Sequence, residues 1–186
     1  MIMDLGLMMK AVAFYGRTIE MISVPYLADP DILAFTCPPG VVDQRLTHFN
    51  GKQYVASAEQ SFLQMEKDGF EFACANPYMA LTPCYRTEPV LDSSHFNIFL
   101  KLEIFELYPL NRTSGDLDYA LLMQDFFLTV GVKTEIVQTD IGYDVESMEG
   151  LELGSFGYRY TPEGHLYIYA TGLAEPRASL ALRGER

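Results

Sequence analysis

The chain has 186 residues, room for one domain of ordinary size that can bury about two thirds of its unfolded surface without a disulfide or metal staple. Its 49% hydrophobic and 20% charged residues exclude a disordered chain, and a formal net charge of -12 gives an average field that repels nucleic acid, with no basic run to reverse it. Cys37, Cys74 and Cys84 are odd in number and far apart, without the CxxC spacing of a zinc ribbon or a secreted disulfide framework, so they read as reduced cysteines of a cytoplasmic protein.

The apolar N-terminus MIMDLGLMMKAVAFYGR is interrupted by Asp4 and Lys10, which argues against a membrane span or a signal peptide. Its Leu5, Met8, Met9, Val12 and Ala13 have the spacing of a helix with one buried face. TIEMISVPYL predicts a strand that reaches a sheet edge or turns near Pro25. DPDILAFTCPPG, with Pro30, Pro38, Pro39 and Gly40, predicts a loop. QRLTHFNGKQYVA predicts a hairpin turning at Asn50 and Gly51, and SAEQSFLQMEKDG a helix opened by Ser57 and Glu59 and ended by Gly69.

Two strands follow, over 79–88 and 95–107, joined by the turn-forming PVLDSS. SGDLDYALLMQDFFLTVG predicts a helix capped by Ser114, with acids in its first turn and Gly131 as its stop. The remainder predicts strands at 133–139, 150–159 and 165–171 and a last helix from 174. Hairpin-length links outnumber crossover helices, so the class is α+β: an antiparallel sheet of about six strands flanked by helices. No linker, repeat or low-complexity tract divides the chain, and a single domain over 1–186 is expected.

The residues with chemistry centre on TPCYRTE. Strand alternation puts Arg86 and Glu88 on one face, where a solvated ion pair would be the ordinary explanation. The return strand changes this, because His95, Asn97 and Phe99 share a face that Lys101 and Glu103 continue. A hairpin would gather Arg86, Glu88, His95, Phe99 and Glu103 on one surface. A solvated face seldom needs the phenylalanine, and a core seldom holds so many charges. A ligand site accommodates both, since a guanidinium fork holds phosphate and a ring stacks on a base.

YRTE followed by HFNIF resembles motif 2 of the class II aminoacyl-tRNA synthetases, an Arg-x-Glu strand, a loop with His or Arg, and a Phe-bearing return strand. YGRTIEMISVPYL resembles motif 1, a helix running into a strand that ends in Pro25. ATGLAEPRASLALRGER resembles motif 3, whose Gly-x-Gly-x-Gly-x-x-Arg is met as Ala170, Gly172, Ala174 and Arg177, with two of the three glycines replaced by alanine. SAEQ resembles the Thr-x-Glu loop, through Ser57 and Glu59, and LELGSFG resembles the segment whose acid and small polar residue hold magnesium, here Glu152 and Ser155.

The resemblance implies a class II catalytic core that uses ATP and Mg2+ to convert an amino acid into its adenylate. It implies that Arg86 clamps the α-phosphate and the substrate carboxylate, Glu88 accepts from the adenine amino group, His95 reaches the β- or γ-phosphate, Phe99 stacks under adenine and Arg177 covers it. Glu59 and Glu103 would read the substrate ammonium, Glu152 and Ser155 would hold Mg2+, and a homodimer would form through the Pro25 region. The chain ends soon after motif 3, leaving no room for an anticodon-binding domain, and its charge is unfavourable for tRNA. The expected acceptor is therefore a carrier protein, a small molecule or a tRNA end. The alternative is a non-catalytic paralogue that binds amino acid or nucleotide as an accessory subunit, an option raised by Ala170 and Ala174.

Overall fold

The computed structural model describes residues 3–37, 48, 50–88, 90–92, 95–108 and 115–185. Helix α1 (Leu5–Tyr15) starts where the Asp4 side chain accepts the backbone N–H of Leu7. Its buried face is Leu7, Met8, Ala11 and Tyr15, not the stripe read from the sequence, and Leu5 and Met9 are exposed. Almost every position in this helix is apolar, so more than one stripe has helical spacing and tertiary packing chooses between them. Tyr15 decides the choice by donating its buried hydroxyl to the Gly172 carbonyl at 2.9 Å.

The expected first strand is two short ones, β1 (Glu20–Met21) and β2 (Leu27–Ala28), with half-buried Pro25 between them. The expected loop after it contains a helix, α2 (Pro30–Thr36). Pro30 sits at the first helical position, where its missing N–H costs nothing, so the proline starts the helix instead of breaking it. Ile32 and Leu33 are buried there. Pro38, Pro39 and Gly40 lie outside the described residues. The turn expected at Asn50 and Gly51 is present, with Gly51 at φ +84° and its N–H donating to the His48 carbonyl. Strand β3 (Gln53–Tyr54) then pairs with β2. Helix α3 (Ala58–Lys67) has Ser57 as its cap and Gly69, at φ +89°, beyond its end, as the sequence predicts.

The main sheet adds β4 (Tyr78–Tyr85), β5 (Ile98–Leu107), β6 (Thr134–Thr139), β7 (Gly142–Ser147), β8 (Glu152–Tyr160) and β9 (Leu166–Glu175). Its order is β1-β4-β5-β9-β8-β7-β6, and only the β1–β4 pairing is parallel. The sheet thus has seven strands where about six were expected. Strand β7 is the unforeseen one: of its six residues only Val145 and Ser147 are buried, so its sequence carries almost no apolar signal. Strand β9 also runs past 171 to Glu175, because β5 pairs with it as far as Leu100–Glu175. The last helix, α5 (Arg177–Leu182), consequently starts later than 174.

Helix α4 (Gly115–Thr129) packs across β6 to β9, and Gly131, at φ +84°, follows its end. The Ser114 cap lies outside the described residues. The Tyr158 hydroxyl accepts the backbone N–H of Gly115 at 2.8 Å. One core, with Met8, Tyr15, Leu102, Met123, Phe126 and Leu173, fills the face under α1 and α4. The other, with Phe62, Phe72, Phe105, Tyr167 and Tyr169, fills the face under α3. The two clusters cover the sheet on both faces.

Candidate functional site

One end of the β4–β5 hairpin, the start of β8 and the β9–α5 junction surround a pocket. Arg86, Glu88, His95, Phe99, Glu152, Ser155 and Arg177 all line it, together with Lys101, Gly154, Thr171 and Glu175. Seven of the nine residues chosen from the sequence therefore meet in one place. They come from segments far apart in the chain, brought together by antiparallel pairing of β5 with β9 and of β9 with β8.

Arg86 follows the last residue of β4, and its backbone N–H donates to the Asn97 carbonyl at 2.9 Å, closing the hairpin. Its guanidinium lies 4.9 Å from the centre of the Phe99 ring. Its Nη2 donates to the Ala56 carbonyl at 3.3 Å, and its Nη1 stands 4.0 Å from Glu88 Oε1. Such a pair is at the limit of an ion pair, and most of the fork's donors remain available for an anion. The backbone N–H of Glu88 donates to Asn97 Oδ1 at 3.0 Å, which fixes the segment on which this acid stands. His95 is exposed and places Nδ1 2.9 Å from Asp92.

Arg177, the first residue of α5, stands across the pocket with Nη1 3.5 Å from Glu152 Oε1. Glu152 is exposed and Ser155 half buried. Ser155 pairs across the strands with Asp144, whose carboxyl is pushed up to about 6 by burial and then by the like charges of Glu152 and Glu146. Gly172, the one glycine kept in the motif 3 pattern, would put a Cβ 3.2 Å from the Leu102 carbonyl and side chain. Close approach between β9 and β5 accounts for a glycine there.

Glu103 and Glu59 are placed differently, and neither lines the pocket. Glu103 is buried and accepts from the Ser57 hydroxyl at 2.7 Å, from the backbone N–H groups of Ala58 and Glu59, and from Lys101 Nζ at 2.6 Å. Burial pushes its carboxyl up, but the Lys101 ammonium and the Ser57 and Ala58 donors more than offset this and hold it below the usual range. Glu59 accepts from Arg159 at 2.7 Å with both oxygens and from the Tyr167 hydroxyl at 2.7 Å. Arg159 in turn stacks on Tyr169, 4.2 Å from the ring centre.

Lys101, Thr171 and Asp144 were not among the residues selected. Lys101 follows Phe99 at strand spacing and could have been chosen by the same alternation that chose Glu103. Thr171 and Asp144 reach this surface only through the registers Glu103–Thr171 and Asp144–Ser155, which no local pattern in the sequence announces.

No protein-family model and no curated protein matches this chain. Solved structures match it in shape. Two structures of pyrrolysyl-tRNA synthetase from Desulfitobacterium hafniense are similar over 97% of this chain, one at 18% identity and TM-score 0.74 over 70% of its own length, the other at 17% and 0.75 over 69%. The cytoplasmic serine-tRNA ligase of Naegleria fowleri, solved in complex with AMP, is similar over 95% of this chain and 52% of its own, at 14% identity and TM-score 0.74. At these identities the likeness is one of fold: the chain has the fold of class II synthetase catalytic domains.

Proposed function

We propose that the protein is a ligase that activates an amino acid with ATP, forming an aminoacyl adenylate and releasing pyrophosphate. The observation that carries this reading is the meeting of Arg86, Glu88, His95, Phe99, Glu152, Ser155 and Arg177 around one pocket, on a fold whose neighbours are aminoacyl-tRNA synthetases. A carboxylate oxygen of the substrate attacks the α-phosphorus, and the bond from that phosphorus to the bridging oxygen breaks, so pyrophosphate leaves with its electron pair. Two anions must approach and charge builds on the phosphoryl oxygens, so fixed cations supply the acceleration and no general base is needed.

Arg86 takes the centre of this scheme, bridging substrate carboxylate and α-phosphate with a fork that cannot lose its proton. Phe99 offers a ring to the adenine and Glu88 an acceptor to its amino group, while His95 and Arg177 meet the outer phosphates. The donors of Glu152 and Ser155 fit magnesium, which takes hard oxygens and leaves most of its positions to phosphate and water. When bound, the ion would neutralise phosphate charge. Glu152 is suited to this because its present partner is a single long contact to Arg177. Glu103, whose partner Lys101 lines the pocket, is the acid proposed for a substrate ammonium, with Glu59, anchored by Arg159, as the other acid of this part of the protein.

The test is ATP–pyrophosphate exchange with each standard amino acid, with Arg86→Ala as the control. Exchange that depends on one amino acid and is lost in the variant supports the reading. Binding of nucleotide or amino acid without exchange would place the protein among accessory subunits instead, and neither would leave only the fold. The acceptor is proposed to be a carrier protein, a small molecule or a tRNA end. A homodimer through α1 and the Pro25 region is also proposed, supported by the exposed apolar side chains of Leu5, Met9, Met21 and Tyr26 along that edge. Elution as a monomer at micromolar concentration would refute it.

A further inference from the structure

Lys101 has a position that the scheme above leaves unexplained. Its side chain is only 16% exposed, it lines the pocket, and its ammonium is spent on Glu103 at 2.6 Å. Glu103, buried next to it, is the acid that the proposed function assigns to a substrate ammonium. Its other partners, the Ser57 hydroxyl and the N–H groups that open α3, are built into the fold. The Lys101 ammonium is the one partner on a flexible stem.

We infer that Lys101 is a placeholder at Glu103: the α-ammonium of the substrate takes its seat, and the released lysine turns to the anions gathered at Arg86. The inference rests on the amino-acid-activation reading and adds to it an order of events. A buried carboxylate left without a counter-charge is costly, so an empty site with Glu103 unpaired would weaken the fold. Lys101 supplies that charge until a substrate arrives. The exchange is one ammonium for another and leaves the charge at Glu103 unchanged.

The freed ammonium does not stay idle. Phe99 and Lys101 lie on the same face of β5 about 7 Å apart along the strand, and the Arg86 guanidinium sits over Phe99. A lysine leaving Glu103 therefore turns within the pocket where Arg86 holds carboxylate and phosphate. Binding of the amino acid thus adds a cation to the nucleotide site, and the two ligands tighten each other by the same factor. A carboxylic acid without an α-amino group cannot displace the lysine and brings no such gain.

The experiment titrates α,β-methylene-ATP, whose α,β bridge resists cleavage, into the protein with magnesium. It is run alone, with each standard amino acid at millimolar concentration, and with the α-hydroxy acid matching any amino acid that responds. The expected result is an amino acid that tightens the analogue about tenfold, the size of one charged hydrogen bond. The hydroxy acid should give no tightening, and Lys101→Met should lose it. Tightening that survives in Lys101→Met, or that the hydroxy acid reproduces, overturns the inference, as does its absence with every amino acid. Should Lys101→Met fail to fold, the hydroxy acid comparison in the unaltered protein decides alone. Exchange without tightening removes the placeholder and leaves the adenylation reading standing, whereas no exchange with any amino acid removes the adenylation reading itself.

Discussion

Two groups of charges in this protein are paired in opposite ways. In the pocket, Arg86 and Glu88 stand at 4.0 Å and Arg177 and Glu152 at 3.5 Å. Away from the pocket lining, Glu59 and Arg159 meet at 2.7 Å. A fold that only needed its charges neutralised would close the first pairs as it closes the second. The long Arg86–Glu88 pair leaves most of that guanidinium's donors for a ligand, while the short Glu59–Arg159 pair holds the structure behind α3.

The largest effect that would sharpen this contrast is on the open side. Arg86→Ala should lower the exchange rate about a hundredfold to a thousandfold, as for loss of a preorganised donor to a developing anion. Its melting temperature should barely move, because a pair at 4.0 Å contributes little to stability. A large fall in melting temperature would show that the guanidinium holds the hairpin and break the distinction.

The closed side should respond in the reverse sense. Arg159→Met leaves the Glu59 carboxylate buried with only the Tyr167 hydroxyl as partner. The cost should be about 3 kcal/mol, the low end for a broken buried pair because Arg159 is itself a third exposed. Denaturant unfolding measures it. Arg159→Met that unfolds like the parent but loses amino acid dependence would move Arg159 to the ligand side of the comparison.

The sequence showed these two groups unequally. Arg86, Glu88, His95 and Phe99 were legible together because one hairpin brings them together, although β4 ends at Tyr85 and β5 starts at Ile98, so of the four only Phe99 sits on a strand and alternation does not order the others. Glu152, Ser155 and Arg177 became legible through the spacing of a known pattern. The ties of Glu59 were hidden, since its partners Arg159 and Tyr167 lie 100 and 108 residues away and arrive through strand order. The same limit applied to the fold. Helix α3 was plain from its cap and its glycine, but the buried face of α1 was settled by Tyr15 against β9, and β7 was missed because its burial comes from its neighbours.

The smallest effect concerns Asp144, which shares the face of Ser155 and is held near about 6 by burial and by Glu152 and Glu146. Its folded value lies above the unfolded one, near 3.8. The native state therefore binds the extra proton between these values, and the stability Asp144 contributes is present in full below 3.8 and lost as pH rises through about 6. Asp144 is half-buried and keeps contact with solvent that screens its charges, so the loss should stay below about 1 kcal/mol. Asp144→Asn should remove this slope, seen as a smaller fall in melting temperature between pH 4 and about 7 than in the parent. Magnesium with α,β-methylene-ATP should reduce the parent's slope as well, because a cation near Glu152 offsets the charge that Asp144 feels. A slope that ignores both the substitution and the ligands would mean that Asp144 does not share the field of the pocket, and the open group would then end at Glu152.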